Sequence, residues 1–261
     1  MDVQKTTNSC ISSQVYEFWN SVWKFRPIQE NHGGMGFCHS FWVWHTILKL
    51  NPRVIIESGV WKGHSTWLLE VASDPTAKII CLDPLPLTNL MYHSASPRVT
   101  YYVGDKFKDF AQMPWETIIK KNNVPNTLCF FDDHYGKDRL FQAAKFGFKH
   151  MMFDDNYAMF AGNQFNPRGN DYAPKAALAL PSKSELRKQL DTMIEVYDEM
   201  PPLLANTTDS TRNAWDDIKS FTQSPIFTKF DDVDEKLLQD MQHDARNYTW
   251  ICYILLKISE K

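Results

Sequence analysis

Two acidic clusters, Asp132-Asp133-His134 and Asp154-Asp155, are the residues of this sequence best suited to chemistry. Each follows a short apolar run, Thr127 to Phe131 and Lys149 to Phe153. Carboxylates at the ends of neighbouring strands repel one another and resist losing water, so they raise each other's pKa or need cationic partners. A divalent cation answers that need, and hard oxygen ligands suit magnesium, manganese or calcium better than zinc. Asp132, Asp154 and Asp155 could form such a set, with substrate hydroxyls completing the shell. His134 is the one group in the cluster whose ordinary pKa lies near neutrality, which makes it the candidate general base, its imidazolium held by neighbours such as Asp133. A hydroxyl bound to a divalent ion is more acidic, so metal and base would act on the same proton. The plainer alternatives are that Asp133 and Asp154 cap the elements that follow them, and that His134 is a passive partner of Asp133.

A second constellation lies upstream. Val54 to Ile56 reads as a buried strand, and Glu57-Ser58-Gly59-Val60-Trp61-Lys62-Gly63-His64-Ser65 leads from it into a helical pattern. Strand, glycine turn and helix open a nucleotide-binding α/β unit: glycines allow tight turning, and a helix N-terminus offers free N–H groups. The spacing is neither Gly-x-Gly-x-x-Gly nor a phosphate loop ending in Gly-Lys-Ser/Thr. A second strand, Lys78 to Leu82, ends in Asp83, where an acid can accept hydrogen bonds from both ribose hydroxyls. A third, Val99 to Val103, is followed by Gly104-Asp105, which is also plain turn chemistry. Every acid singled out lies at the carboxyl end of a strand, where ligands of parallel sheets gather.

The elements that must position these residues alternate along the chain. Residues 1–13 are polar and expected to fray; helices are expected over Gln14–Arg26 and Phe37–Leu50, separated by a glycine-rich loop around Gly33-Gly34. Five strands alternate with helices from Val54 to Phe153, including helices at Trp115–Lys121 and Lys137–Phe146, the latter ended by Gly147. They predict a mostly parallel sheet. Asn156 to Leu180 reads as a long loop, Ser182–Met200 as an amphipathic helix capped by Ser182, Ile226–Phe230 as a strand and Asp234–Gln242 as a helix. Tyr248 to Ile258 is rich in β-branched and aromatic residues and reads as a closing strand.

Composition narrows the class. At 261 residues with 43% hydrophobic content and nine Trp, the chain fits one large domain with a terminal addition. A net charge of −3 without a basic run gives no surface for nucleic acid. No apolar run approaches the roughly 20 residues that span a bilayer. Five cysteines without paired spacing point to reduced thiols and a cytoplasmic setting, and argue against zinc.

Taken together, Glu57-x-Gly59-x-x-x-Gly63-x-Ser65, Asp83, Gly104-Asp105, Asp132-Asp133-His134 and Asp154-Asp155 resemble class I S-adenosylmethionine-dependent methyltransferases. They are most similar to the metal-dependent sugar O-methyltransferases of the macrocin and mycinamicin type and to the cephalosporin hydroxylase family. The resemblance covers Val54 to Asn156 and the final strand. It implies an α/β, Rossmann-like, mostly parallel seven-stranded sheet, with residues 1–52 as an N-terminal helical lid or addition and residues 53–261 as the donor-binding domain. It implies a donor, S-adenosyl-L-methionine, held by Glu57, Gly59, Gly63, Ser65, Asp83, Asp105 and Asp132. It implies a divalent metal, magnesium foremost, on Asp132, Asp154 and Asp155, with His134 and Asp133 in the catalytic role. Where the group has Asp-Gly-Asp this chain has Asp-Asp-His, which leaves open whether Asp132 or Asp133 meets the metal. The expected partner is a small-molecule or glycan acceptor, and a homo-oligomer is compatible. Two rivals remain: a metal-dependent hydrolase or oxygenase that uses the acids without a methyl donor, and a non-catalytic nucleoside-binding subunit.

Overall fold

The computed structural model describes residues 3–156, 173–204, 225–227, 234–245 and 251–257, with side chains from Ile11 onward. Its centre is a seven-stranded sheet. The strands are β1 (Val54–Ser58), β2 (Lys78–Asp83), β3 (Val99–Val103), β4 (Thr127–Phe131), β5 (His150–Phe153), β6 (Ile194–Glu199) and β7 (Cys252–Leu256). Their spatial order is β3-β2-β1-β4-β5-β7-β6. The first five pair in parallel, and β7 runs antiparallel to both β5 and β6.

Apolar cores cover both faces, which is why β1 and β4 are buried along their whole length and are mostly apolar, Val54–Ile56 and Leu128–Phe131. Ile55, Ile79, Leu128, Phe130 and Met152 face one core, shared with α1 (Val3–Ser21), α2 (Phe37–Leu50), α3 (His64–Ala72) and α8 (Glu235–Ala245). Val54, Ile56, Ile80, Cys129, Phe131 and Met151 face the other, shared with α4 (Trp115–Ile118), α5 (Lys137–Phe146), α6 (Pro174–Leu178) and α7 (Glu185–Met193). Phe18 of α1 packs its ring tilted or edge-on against Phe37, Phe41 and Trp44 of α2, and all four belong to the core shared with the sheet.

The elements around the site match their sequence signals, and the departures have physical reasons. The first helix begins at Val3 rather than Gln14 and gives way to a 3-10 turn at Trp23–Phe25. Polar though it is, the stretch from Val3 to Ser13 contains no Gly or Pro to stop a helix. Helix α4 ends at Ile118, and Lys121–Asn126 form 3-10 turns instead of a plain loop. The segment expected to be one helix over Ser182–Met200 is α7 followed directly by β6, with Ser184, not Ser182, as N-cap through its bond from the Arg187 N–H. Pairing of Ile194, Val196 and Tyr197 with β7 outweighs the helical spacing. Within the expected long loop, residues 174–178 form α6, which starts on Pro174; residues 157–172 lie outside the described residues. Residues 206–224, which carry no clear sequence signal, also lie outside them. Of the strand expected at Ile226–Phe230, Phe227 makes a single bridge to Leu204, and residues 228–230 lie outside the described set.

Candidate active site at the strand ends

Sheet order sets the order of the acids. Along the carboxyl rim come Asp105 after β3, Asp83 ending β2, Glu57 near the end of β1, Asp132-Asp133 after β4 and Asp154-Asp155 after β5. Five chain-distant acidic positions therefore form one row, at the edge where parallel sheets hold ligands.

At the β4–β5 end, Asp132, Asp154 and Asp155 each offer a carboxylate oxygen, and these oxygens lie within 4.8 Å of one another. Loss of water contact and the neighbouring carboxylates of Asp154, Asp155, Asp133 and Glu57 push the Asp132 carboxyl well above the usual range. An all-carboxylate set that strains against its own charge fits a hard divalent cation. The β4 motif alone leaves Asp132 and Asp133 as equal candidates; Asp132 is the one grouped with the pair after β5. His134 stands beside them, its Nδ1 2.6 Å from Asp155 Oδ2 and its side chain 69% exposed. Its partner is Asp155, not Asp133, and contact with that carboxylate raises its pKa, against the opposing effect of burial. His134 adopts φ +57°, a left-handed conformation uncommon for a residue with a side chain and one that recurs where function constrains a loop.

Asp133 points elsewhere. Its Oδ2 accepts from Ser58 Oγ at 2.5 Å and from Arg139 Nε at 2.7 Å, and its Oδ1 accepts from the Tyr135 N–H. Arg139 is 1% exposed and also forks onto both oxygens of Asp109, at 3.0 and 2.8 Å. This pairing fastens the turn after β4 to the sheet and leaves Asp132 facing the rim. Arg139→Ala removes the partner of two carboxylates at once. Breaking a buried pair in this way costs about 3 kcal/mol, and guanidinium unfolding should read the loss as a lower midpoint.

At the β1–β2 end the glycines serve close approach between backbones. A Cβ on Gly59 (φ +96°) would come within 2.3 Å of the Asp132 carbonyl oxygen, and one on Gly63 (φ +92°) within 2.1 Å of the Tyr92 carbonyl oxygen. Asp83 holds the turn: Oδ2 accepts from the Val60 and Trp61 N–H groups at 2.7 and 2.8 Å, and Oδ1 from the Leu85 N–H at 2.7 Å. A carboxylate has about four acceptor sites, and three of those of Asp83 take backbone N–H groups of the chain. Asp105 lies in an exposed 3-10 turn just past β3.

Glu57 is fully buried. Thr66 Oγ1 donates to its Oε2 at 2.6 Å, while Oε1 has no hydrogen-bond partner among the described residues. Burial pushes its carboxyl up from 4.5 to about 7, against the hydroxyls of Ser65 and Thr66, which favour the ionised form. An orphaned buried oxygen at the end of the central strand fits a ligand that brings a donor or a positive charge. Because the folded-state pKa lies above the unfolded one, the folded state holds the extra proton between pH 4.5 and about 7. Stability then falls as pH rises through that window and levels off above it. Glu57→Gln should remove this slope and stabilise the protein above pH 7 by on the order of 3 kcal/mol, read by denaturant unfolding of both proteins from pH 4 to 8.

Two spaces adjoin the rim. One, lined by Val60, Trp61, Lys62, Ser65, Asp132 and the Asn31–Met35 segment, measures only about 10 Å³. The other, about 710 Å³, opens between the 29–36 loop, α8 and Asp154-Asp155, with Trp23, Arg26, His39, Gln239 and His243 on its walls. That is the size of sites that bury a small organic ligand.

Sequence reasoning misses three side chains here: Thr66 under Glu57, Arg139 under Asp133, and His39. His39 lies on α2, 5% exposed, with Nδ1 2.8 Å from Asp154 Oδ1. Burial works to lower its pKa, and the Asp154 carboxylate outweighs that and raises it to about 9. One signal exists in the sequence: a histidine on an otherwise apolar helix must meet a polar partner once buried. Which partner depends on packing between α2 and β5. His64, the first residue of α3, is buried with Nε2 3.2 Å from Ser40 Oγ, and burial, then Arg26, lowers its pKa to about 4.

No family model matches the chain, and no curated protein matches it. Among solved structures it is similar to the O-methyltransferase TomG from Streptomyces achromogenes, involved in tomaymycin synthesis and in complex with SAM. That match has 12% identity over 98% of this chain and 100% of the other, with a TM-score of 0.49. It is also similar to the O-methyltransferase from Bacillus cereus in complex with SAH, at 12% identity over 93% and 90% of the two chains and a TM-score of 0.45. A third likeness is to cmcI-D160 with Mg-SAM, at 18% identity over 59% and 60%, with a TM-score of 0.37. The strand order, with β7 reversed between β5 and β6, is the mostly parallel seven-stranded arrangement that the sequence resemblance implies.

Proposed function

We propose that this chain is an S-adenosylmethionine-dependent O-methyltransferase acting on a hydroxyl of a sugar or glycan, assisted by a divalent cation, with magnesium the first choice. The observation that carries this reading is the row of acids along one rim: hydrogen-bond acceptors for a nucleoside at β3, β2 and β1, and a cation-binding trio at β4 and β5. In this reading Asp105 faces the adenine, Asp83 keeps the Val60–Trp61 turn in shape and accepts one ribose hydroxyl, and Glu57 receives the positively charged amino-acid end. Gly59, Gly63 and Ser65 form the turn under it. Admitting the donor requires the Asn31–Met35 segment to lift from Trp61, which makes residues 1–52 a helical addition whose loop covers the site. The acceptor occupies the 710 Å³ cavity. Bound, the donor supplies a methyl group already activated on sulfur, and the cation lowers the pKa of the acceptor hydroxyl. The chain contributes position, excludes water, and takes up the hydroxyl proton at His134, whose imidazolium is held by Asp155. Buried, unbridged Cys38, Cys81, Cys129 and Cys252 support a reducing, cytoplasmic setting.

The test is transfer of labelled methyl from S-adenosylmethionine to a panel of glycosides, with magnesium, with chelator, and with magnesium restored. Incorporation that is lost with chelator and recovered with magnesium is expected. Metal-dependent conversion of a substrate without the donor would instead favour a hydrolase or oxygenase, and donor binding without transfer to any hydroxyl a nucleoside-binding subunit. Asp83→Ala should weaken binding of S-adenosylhomocysteine about 10-fold or more, since a hydrogen bond to a charged group contributes about 1.5–3 kcal/mol. Unchanged affinity on titration would remove Asp83 from the donor site.

A further inference from the structure

We infer that His39 is a positioning residue of the cation site: it fixes the rotamer of Asp154, and through it the N-terminal helical region sets the affinity of the Asp132–Asp154–Asp155 group for a divalent ion. This rests on the metal reading above and adds a residue from outside the strand ends.

Three observations lead to it. His39 Nδ1 lies 2.8 Å from Asp154 Oδ1 with both side chains almost wholly enclosed, at 6% and 9% exposure. A carboxylate fixed on one oxygen by a buried ring presents its remaining lone pairs in one direction. Asp154 is also one of the three residues whose oxygens converge. Carboxylates that bind metals are themselves oriented by outer hydrogen bonds, and removal of such a partner typically costs about 10–100-fold in metal affinity.

The ring is itself held in place. His39 is the third residue of α2, whose N-cap, Gly36, offers no capping side chain. Asp244 on α8 takes that part, accepting the Cys38 N–H, and it sits so close that a Cβ on Gly36 would overlap its carboxylate. The carbonyl of Gly36 accepts from the Ser40 N–H, closing the first turn around His39. The start of α2 is thus tied to α8, and the ring reaches Asp154 from a helix that precedes β1 in the chain. That arrangement gives the 29–36 loop, which adjoins α2 and covers the rim, a mechanical path to the cation site.

The test is calorimetric titration of manganese into the full chain and its variants, with S-adenosylhomocysteine affinity and thermal midpoint measured in parallel. His39→Ala should lower manganese affinity about 10–100-fold while S-adenosylhomocysteine affinity stays within about 2-fold. His39→Asn, whose amide nitrogen falls where Nδ1 does, should recover most of the loss, and His39→Gln, whose nitrogen falls one bond further out, should not. Should His39→Ala fail to fold, the Asn and Gln pair still decides, since both keep a polar group of similar bulk. Equal manganese affinity for wild type and a folded His39→Ala overturns the inference and leaves the metal reading standing, as does equal loss in Asn and Gln. Absence of manganese binding to the wild type overturns both, and the donor titration then shows whether the methyl-transfer reading survives without a metal.

Discussion

Asp132→Asn is expected to lower methyl transfer by about 10³-fold while S-adenosylhomocysteine still binds, and to raise thermal stability measured without metal. The two signs have one cause. Three carboxylates whose oxygens lie within 4.8 Å repel one another, and burial adds to the cost of charging Asp132. An amide relieves that repulsion but is a poor partner for a hard cation. Losing Lewis-acid assistance removes several kcal/mol of transition-state stabilisation, and about 4 kcal/mol corresponds to about 10³-fold in rate. Stability raised together with activity lost is the pattern of a site held in a strained state for function. A variant that loses activity and stability together would make Asp132 a structural residue.

His134→Ala should reduce turnover by about 10²–10⁴-fold, the usual contribution of a positioned acid or base, with donor affinity kept. His134 is set apart from the buried histidines by its 69% exposure, its place on a left-handed turn and its contact with Asp155, one of the three converging carboxylates. Removing an exposed ring should cost little stability, and a left-handed turn tolerates asparagine well, so His134→Asn keeps the backbone while lacking the base. Equal loss in both variants, with equal thermal midpoints, assigns the effect to the imidazole. Activity retained in His134→Asn would move the proton acceptor elsewhere, and His39 is too enclosed to be the first replacement.

Most of the sheet is legible in the sequence because local signals and tertiary pairing agree from Val54 to Phe153. Apolar runs bounded by glycine, proline and acids give β1 to β5 almost to the residue, and a βαβ alternation leaves few other topologies. Legibility fails where partners are remote. Ile194 to Glu199 carries an amphipathic spacing continuous with α7 and becomes a strand only because β7, from the end of the chain, lies beside it. The site divides the same way. The acids can be placed at strand ends from sequence alone. That Asp132 converges with Asp154 and Asp155 while Asp133 turns to Ser58 and Arg139 depends on side-chain geometry in two adjacent residues, which periodicity does not resolve. His39 is hidden for the same reason: its meaning comes from a partner that follows β5, across the core from α2.

The most direct test is titration of S-adenosylhomocysteine into the full chain by calorimetry, with magnesium and with chelator. Saturable one-to-one binding is predicted in both conditions, weakened by Asp83→Ala and unaffected by His134→Ala. No binding heat in either condition, with the protein folded, would contradict a nucleoside site at the β1–β3 rim and the methyl-transfer account with it.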